Sequence, residues 1–297
     1  MLGKTGMEIS VLGFGGAEIG YENAPQGDVE RLLQSALDAG LNVIDTAECY
    51  ADSETKIGEA VSHRRGDFFL FTKVGHAHGP GLEVGEDWNP EMMARSIDRS
   101  LQRLRVESLD LLQLHTCSEE MLRKGDVIEV LRRARDAGKT RFIGYSGDSK
   151  AALYAVECGA FDTLQTSVNI ADQECITLTL PKAKAANMGV IAKRPIANVA
   201  WRTGRNPPDN GYVKSYWERL QQLAYPFLED KDTSVGTALH FTLAAPGVTT
   251  AIVGTKNPAR WKSNAQLLEA GSLPDTEFRA IRDRWKEASQ ADWVGQG

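Results

Sequence analysis

The chain has 297 residues and a formal net charge of −6, with 34 Lys and Arg residues against 40 Asp and Glu residues. Charged residues make up 25% and hydrophobic residues 42% of the chain, which is ordinary for a globular protein and excludes disorder, collagen and coiled coil as the main architecture. The acidic balance argues against nucleic acid or an anionic membrane as the main partner, and no apolar run approaches the roughly 18 residues that would span a bilayer.

The cysteines and the first residues indicate a cellular location. Cys49, Cys117, Cys158 and Cys175 form neither a C-x-x-C pair nor a zinc-binding spacing. So few thiols in a long chain favour a reducing compartment. The start of the chain lacks the basic region and apolar stretch of a signal peptide. These patterns together predict a cytoplasmic protein.

Short apolar segments alternate with amphipathic ones along the whole chain. The segments predicted as β-strands are, in chain order, 11–14, 42–45, 68–72, 109–114, 140–144, 163–165, 189–192 and 250–253. The segments predicted as helices are 28–39, 90–104, 126–137, 182–186 and 258–268. Several strands are apolar throughout, with no alternation of polar and apolar residues. This pattern is typical of strands that are buried on both faces of a parallel sheet. The alternation therefore predicts parallel strands covered by helices.

Eight such strands predict an α/β fold, a (β/α)₈ barrel formed as a single domain over 1–297, with an open doubly wound sheet as the alternative. Residues 2–8 are predicted to form a short β-hairpin before the first barrel strand. The long stretch 197–232 follows the seventh strand, where a connection of this length usually serves binding or moves.

Ionisable side chains follow three of the predicted strands. Asp45 and Tyr50 follow the second strand, Lys73 follows the third and His115 ends the fourth. Each alone has a structural explanation, such as a turn cap or a buried hydrogen bond. Because the active site of such a barrel lies at the carboxyl ends of its strands, the four together predict a catalytic site.

The segments around these residues resemble the aldo-keto reductase family. The resembling segments are 45–50, which reads D-T-A-x-x-Y, Lys73 at its strand end, 111–115 with its L-x-x-H ending, 2–16 and 247–255. The resemblance runs from residue 2 to about residue 268. It implies a barrel enzyme that reversibly reduces an aldehyde, ketone or sugar carbonyl to an alcohol with NADPH.

The resemblance also implies a role for each ionisable residue. Tyr50 is the expected proton donor, but tyrosine has an ordinary pKa of about 10 and releases its proton poorly at neutral pH. The Lys73 ammonium, held by Asp45, is expected to lower that pKa. His115, expected to be neutral, hydrogen-bonds the carbonyl oxygen and orients it.

A cofactor must supply the hydride, because no side chain donates one. No G-x-G-x-x-G follows a strand and opens a helix, so the sequence excludes a Rossmann nucleotide site. The resemblance implies NADPH across the barrel mouth, with NADH as a possible cofactor. The residues it implies for cofactor binding are Gly15, Gly16, Ser146, Gln165, Lys193, Arg194, Pro195, Gly254, Thr255, Lys256, Arg260 and Asn264.

The chain departs from the family pattern at three cofactor positions. Gly147 replaces the Asn of the Ser-Asn pair after strand five, and Asn169 is the expected substitute. Lys193 replaces the aromatic residue after strand seven, and Arg194 can stack on a flat ring instead. At the adenosine 2′-phosphate the commonest family lysine aligns with Gly254, so Lys256 and Arg260 are expected to supply the positive charge.

Substrate contacts are less specified. His76, Trp88 and Trp201 are candidates for the rim of the site, although tryptophans at such positions also pack loops onto a barrel. Two other functions stay open. One is a nucleotide-binding barrel that serves as a regulatory or redox-sensing subunit without turnover. The other is a metal-dependent lyase or hydrolase, for which His115 and Asp45 alone supply too few ligands. The oligomeric state is also open.

Overall fold

The computed structural model describes residues 1–79, 82 and 85–296. Eight parallel strands close into a barrel in chain order, and the last strand pairs with the first. The strands are β1 (Leu12–Gly15), β2 (Val43–Asp45), β3 (Phe69–Val74), β4 (Leu109–His115), β5 (Thr140–Ser146), β6 (Thr163–Ser167), β7 (Gly189–Lys193) and β8 (Val248–Gly254). This closed barrel confirms the predicted fold and rules out the open doubly wound sheet.

Helices cover the outside of the barrel. They are α1 (Ala17–Tyr21), α2 (Gln26–Asp38), α3 (Ser53–Val61), α4 (Pro90–Leu104), α5 (Glu119–Lys124), α6 (Asp126–Asp136), α7 (Ser149–Glu157), α8 (Glu174–Leu178), α9 (Leu180–Ala185), α10 (Gly211–Leu223), α11 (Ser234–Ala244), α12 (Pro258–Leu267) and α13 (Asp275–Ala288). Within the described ranges, every helix is too short or too polar to span a bilayer.

Local sequence signals set the boundaries of the predicted helices. Helix α4 has the predicted bounds because the Asn89 side chain accepts hydrogen bonds from the backbone of Glu91 and Met92, and Pro90 occupies the first helical position. Helix α3 was not predicted, because the face that it buries contains polar side chains and so lacks the apolar pattern by which a helix is recognised. Glu54 is 1% exposed and Lys56 is 8% exposed.

The predicted N-terminal β-hairpin is wrong. Residues Gly3–Thr5 form a single 3₁₀ turn, closed by a hydrogen bond from the Leu2 N–H to the Met7 carbonyl at 2.9 Å. The side chains of Leu2 and Met7 are buried at the amino end of the barrel against Phe71 on β3 and Leu111 on β4. Burying this pair inside the barrel, rather than pairing two strands, determines the path of the segment.

The connection 197–232 is a folded element. It contains a 3₁₀ segment, Ala197–Thr203, and helix α10, which pack with α11 and α13 in an apolar cluster outside the barrel. Trp201 lies in this cluster, is 8% exposed and donates its indole N–H to Ser234 Oγ at 3.2 Å. The prediction that Trp201 lines the rim of the site is therefore wrong, because its ring is used to dock the connection onto the barrel.

The strand register brings the predicted site residues to one level. Gly15 on β1 pairs with Asp45 on β2, and His115 on β4 pairs with Ser146 on β5. Ser146 in turn pairs with Gln165 on β6. Residues that are far apart in sequence therefore meet at the carboxyl end of the barrel.

Candidate active site

The carboxylate of Asp45 is the centre of a buried polar network. Lys73 Nζ donates to Asp45 Oδ2 at 2.5 Å, and both side chains are 1% exposed. The amides of Gln113 and Gln165 each donate to Asp45 Oδ1 at 2.9 Å. Four strands thus contribute to one site, and the charge of Asp45 is neutralised by Lys73 and solvated by two amides.

Gln113 was not among the predicted site residues. It is fully buried on β4, two positions before His115 in the run 109–115. Alternate residues of a strand face the same side, so a polar residue two positions from a candidate histidine also faces the site. A buried glutamine in a mainly apolar strand, two positions before His115, was the signal that could have identified it.

Tyr50 and His115 face each other beside this network. Their rings are 5.7 Å apart and inclined at 82°. Lys73 Nζ lies 5.0 Å from the centre of the Tyr50 ring and also donates to the Thr46 carbonyl at 2.7 Å. The loop after β2 and the end of β4 therefore place a phenol and an imidazole next to the buried ammonium.

The net pKa of Tyr50 is raised in this structure, whereas the sequence predicted that it would be lowered. Burial, followed by the negative charge of Asp45, raises the pKa of Tyr50 well above its usual value. The main physical reason is that burial disfavours the charged phenolate, and the Asp45 carboxylate, in contact with the Lys73 ammonium, opposes the field of that ammonium at the phenol. Tyr50 therefore holds its proton throughout the neutral range, which suits a proton donor.

His115 is neutral, as predicted. Burial and then the charge of Lys73 hold the pKa of His115 well below its usual range. Its Nδ1 atom lies 3.5 Å from Cys49 Sγ. A neutral imidazole keeps one N–H for donation and one nitrogen for acceptance, so His115 can donate a hydrogen bond without adding charge.

Two of the predicted rim residues lie against His115. The ring of His76 is 4.7 Å from the ring of His115 and 5.4 Å from that of Trp88. The Trp88 indole N–H donates to the His115 carbonyl at 2.9 Å. Asp87 lies 3.5 Å from His76 Nδ1 and fixes this side chain. The structure thus brings His76 and Trp88 to the site.

Ser146 and Gln165 form a buried polar pair beside Asp45. Ser146 Oγ donates to Gln165 Oε1 at 3.1 Å, and each residue is 1% exposed. Gly147 follows Ser146, and a Cβ at Gly147 would lie 2.6 Å from the Tyr145 hydroxyl. A larger residue at position 147 would therefore require the Tyr145 ring to move. Asn169 is buried near the end of β6 and accepts from the Ala171 N–H at 2.8 Å.

The end of β7 carries two cations, Lys193 and Arg194, and both lie within ion-pair distance of Asp148. Lys193 Nζ lies 2.9 Å from Asp148 Oδ2 and is tied to that carboxylate. The Arg194 guanidinium lies 4.6 Å from the centre of the Tyr212 ring and donates to Ser167 Oγ at 2.8 Å. Arg194 is close enough to Tyr50 for its charge to favour the tyrosinate form, against the larger effect of burial.

Pro195, the next predicted residue, has a structural contact. Its carbonyl accepts a hydrogen bond from the Thr242 hydroxyl at 2.8 Å. This bond ties the turn after β7 to helix α11.

The predicted residues after β8 lie at the start of helix α12. Thr255 is buried, and its hydroxyl accepts from the Asn257 N–H at 3.1 Å. Asn264 is 8% exposed, and its amide nitrogen has no hydrogen-bond partner among the residues that the structure describes. Lys256 Nζ pairs with Glu22 at 2.7 Å at the surface, and Arg260 is exposed.

Glycines at the ends of β1 and β8 allow close packing. Gly15 pairs with Gly254 in the strand register, and the Gly16 N–H donates to the Asp45 carbonyl at 2.8 Å. A Cβ at Gly254 would lie 1.7 Å from the Glu18 carboxylate. A side chain at Gly254 would therefore require the Glu18 side chain to move. Burial raises the pKa of Glu18 above its usual value.

Across residues 1–79, 82 and 85–296, no three His, Cys, Asp or Glu side chains are grouped so that they could hold a metal ion.

Comparisons with known proteins agree in one family. The sequence profile of the aldo/keto reductase family matches residues 11–286. L-galactose dehydrogenase of Arabidopsis thaliana is 27% identical over 92% of this chain and 88% of its own length. D-threo-aldose 1-dehydrogenase of a Pseudomonas species is 25% identical over 88% of this chain and 90% of its own. The holo form of an aldo-keto reductase from Bacillus halodurans superimposes with a TM-score of 0.83 at 25% identity, covering 99% of this chain and 98% of that one.

Proposed function

The chain belongs to the aldo/keto reductase family and is an NAD(P)H-dependent oxidoreductase, and we propose that it reversibly reduces an aldehyde, ketone or sugar carbonyl to an alcohol with NADPH. The observation that supports this most is the arrangement of Tyr50, His115 and the Lys73–Asp45 pair within one mouth of the barrel. A protonated phenol, a neutral imidazole and a buried ammonium are the groups that a carbonyl reduction needs around the reacting oxygen.

The donor set fits a nicotinamide dinucleotide. The hydroxyl of Ser146 and the amide of Gln165 suit a carboxamide, the Arg194 guanidinium suits a pyrophosphate, and the unpartnered amide of Asn264 suits a purine edge. Gly15, Gly16 and Gly254 supply backbone without a side chain at the same mouth, and Thr255 follows Gly254. When bound, the cofactor supplies the hydride to the carbonyl carbon.

The protein side chains handle the proton. Tyr50 donates its proton to the carbonyl oxygen as negative charge develops there, and takes it back in the oxidation direction. His115 donates a hydrogen bond to the same oxygen and orients the carbonyl. Lys73, 5.0 Å from the Tyr50 ring, stabilises the tyrosinate as the proton leaves. Asp45 holds Lys73 in place through their ion pair, and Gln113 holds Asp45 through a hydrogen bond.

Within carbonyl compounds, we favour an aldose or related sugar as the substrate. The printed names of two relatives, L-galactose dehydrogenase and D-threo-aldose 1-dehydrogenase, describe enzymes of sugars. The rim also suits a sugar, because Tyr21 is 60% exposed with its ring 5.5 Å from that of Tyr50. The exposed aromatic face of Tyr21 offers apolar contact for C–H bonds, and the half-buried His76 at the same site offers a polar group for hydroxyls.

Turnover with a panel of carbonyl compounds tests this function. NADPH consumption is measured with aldehydes, ketones and aldoses, and NADP⁺ reduction with the corresponding sugars and alcohols. We expect saturable turnover with at least one aldehyde or aldose. Binding of NADPH, seen as quenching of tryptophan fluorescence, without turnover on any compound would instead support a regulatory nucleotide-binding barrel.

The choice between NADPH and NADH depends on the cations after β8. Combined Lys256→Ala and Arg260→Ala substitution is expected to weaken NADPH binding about 10- to 100-fold, because charge-assisted hydrogen bonds to the 2′-phosphate are lost. NADH, which lacks this phosphate, is expected to keep its affinity within about threefold on the same argument. Fluorescence titration with both cofactors measures the difference.

Lys262→Ala is the matched control for charge, since Lys262 is an exposed lysine on the same helix. It is expected to leave both affinities unchanged. Equal losses of NADPH and NADH affinity in the double variant would contradict a 2′-phosphate site at Lys256 and Arg260.

A further inference from the structure

Cys49 lies directly behind the imidazole of His115. Its Sγ atom is 3.5 Å from His115 Nδ1, and the residue is 8% exposed. Cys49 directly precedes Tyr50 in the loop after β2. The loop that supplies the proton donor therefore also places a thiol next to Nδ1 of His115. In the proposed carbonyl reduction Tyr50 donates the proton and His115 orients the carbonyl, and the Cys49 thiol has no role.

Both partners of the contact are held by hydrogen bonds to their backbones. The Tyr21 hydroxyl donates to the Cys49 carbonyl at 3.2 Å. The Trp88 indole donates to the His115 carbonyl at 2.9 Å. Hydrogen bonds from two different residues therefore hold the backbones of Cys49 and His115, and the fold keeps the thiol and the imidazole in contact.

The proton in this contact belongs to the sulfur. Burial raises the pKa of the Cys49 thiol to about 11, so the group is an S–H at neutral pH. The imidazole is neutral and has one donor and one acceptor nitrogen. Sulfur is a weak acceptor, whereas an imidazole nitrogen with a lone pair is a good one. The arrangement S–H···Nδ1 therefore satisfies both groups, and it leaves the ring proton on Nε2.

We propose that Cys49 is a positioning residue that holds His115 in the tautomer protonated at Nε2. With Nδ1 engaged by the thiol, Nε2 is the nitrogen that donates to the substrate carbonyl. The opposite tautomer would turn a lone pair toward the carbonyl oxygen and repel it. The tautomer itself depends on geometry alone, and only its effect on turnover rests on the proposed reductase function.

Nitrogen-15 NMR of the imidazoles tests the tautomer without any assay of activity. The chain has five histidines, and the His115 signals are assigned by their loss in His115→Gln. At a pH where His115 is neutral, we expect wild type to show a protonated Nε2 and an unprotonated Nδ1. A protonated Nδ1 in the wild-type protein would overturn the proposal, and this measurement requires no folded Cys49 variant.

Substitutions at Cys49 test the thiol as the cause. Cys49→Ser retains a donor and is expected to keep the Nε2–H tautomer, whereas Cys49→Ala removes the donor and is expected to give a mixture of tautomers. With an active substrate, Cys49→Ala is expected to lower kcat about five- to tenfold, as for one modest hydrogen bond, and Cys49→Ser to restore it. KM is expected to change less than kcat.

Cys117→Ala is the matched control, because Cys117 is another buried thiol close in sequence to His115. It is expected to change neither the tautomer nor kcat. A wild-type tautomer in Cys49→Ala would overturn the proposal, as would failure of Cys49→Ser to restore it. Absence of turnover in every protein, wild type included, would count against the reductase function and leave the NMR result to decide the tautomer.

Discussion

Replacement of Tyr50 by phenylalanine is expected to lower the rate of carbonyl reduction by roughly 10²- to 10⁴-fold, the usual contribution of a general acid. The substitution removes the proton donor alone. The ring keeps its contacts with Tyr21 at 5.5 Å and His115 at 5.7 Å, so affinity for NADPH is expected to stay within about twofold, since no cofactor hydrogen bond is removed. Single-turnover measurements report this step directly, because product release can mask it in steady-state kcat.

The pH dependence of the wild-type enzyme follows from the same residue. Tyr50 has a pKa raised well above its ordinary value and donates in its protonated form. His115 has a lowered pKa and is neutral in the same range. The rate of reduction is therefore expected to be level from about pH 7 to about pH 9, while the reverse oxidation, which needs the tyrosinate, rises with pH.

Tyr154→Phe is the control for loss of a tyrosine hydroxyl, since Tyr154 lies on helix α7 against Arg123, away from the barrel mouth. It is expected to keep the wild-type rate. A wild-type rate in Tyr50→Phe would remove Tyr50 from the mechanism, and a steep fall in the reduction rate between pH 7 and pH 9 would show that Tyr50 loses its proton there.

Replacement of Lys73 by methionine is expected to lower the free energy of unfolding by about 3 to 5 kcal/mol, the usual cost of leaving one member of a buried ion pair alone. Asp45 would remain 1% exposed with only the amides of Gln113 and Gln165 to solvate its charge. Reduction is also expected to be lost, because the cation beside the Tyr50 ring is gone. Urea denaturation measures the stability.

Two further variants show whether the buried pair is responsible. The double variant Lys73→Met with Asp45→Asn is expected to lose less stability than the two single losses added together, because no unpaired charge remains. Lys182→Met breaks an ion pair with Glu157 in which both side chains are about half exposed, and is expected to cost less than about 1 kcal/mol. Similar losses for Lys73→Met and Lys182→Met would contradict the central role of the buried pair.

Much of the barrel follows from short-range patterns. Each predicted strand and helix is present with ends within two residues, because apolar runs, caps such as Asn89 and glycines at helix ends act over a few neighbouring residues. Helix α3 escaped prediction because its buried face contains Glu54 and Lys56. Glu54 is paired with Thr72 from another element, and Lys56, besides its pair with Asp52 one turn earlier, donates to the Ile19 carbonyl. No local pattern reveals the contacts between elements.

The sequence by itself determined the eight barrel strands and the positions of Asp45, Tyr50, Lys73 and His115 at or just after strand ends, because the limits of a strand are a local property. Tertiary structure alone decided how these residues affect one another. Burial of the phenol, and after it the charge of Asp45, raise the pKa of Tyr50, which was expected to be lowered, and Asp45 meets Lys73 across strands at 2.5 Å. Electrostatic fields and burial depend on distances between chain segments, and those distances exist only once the barrel has closed.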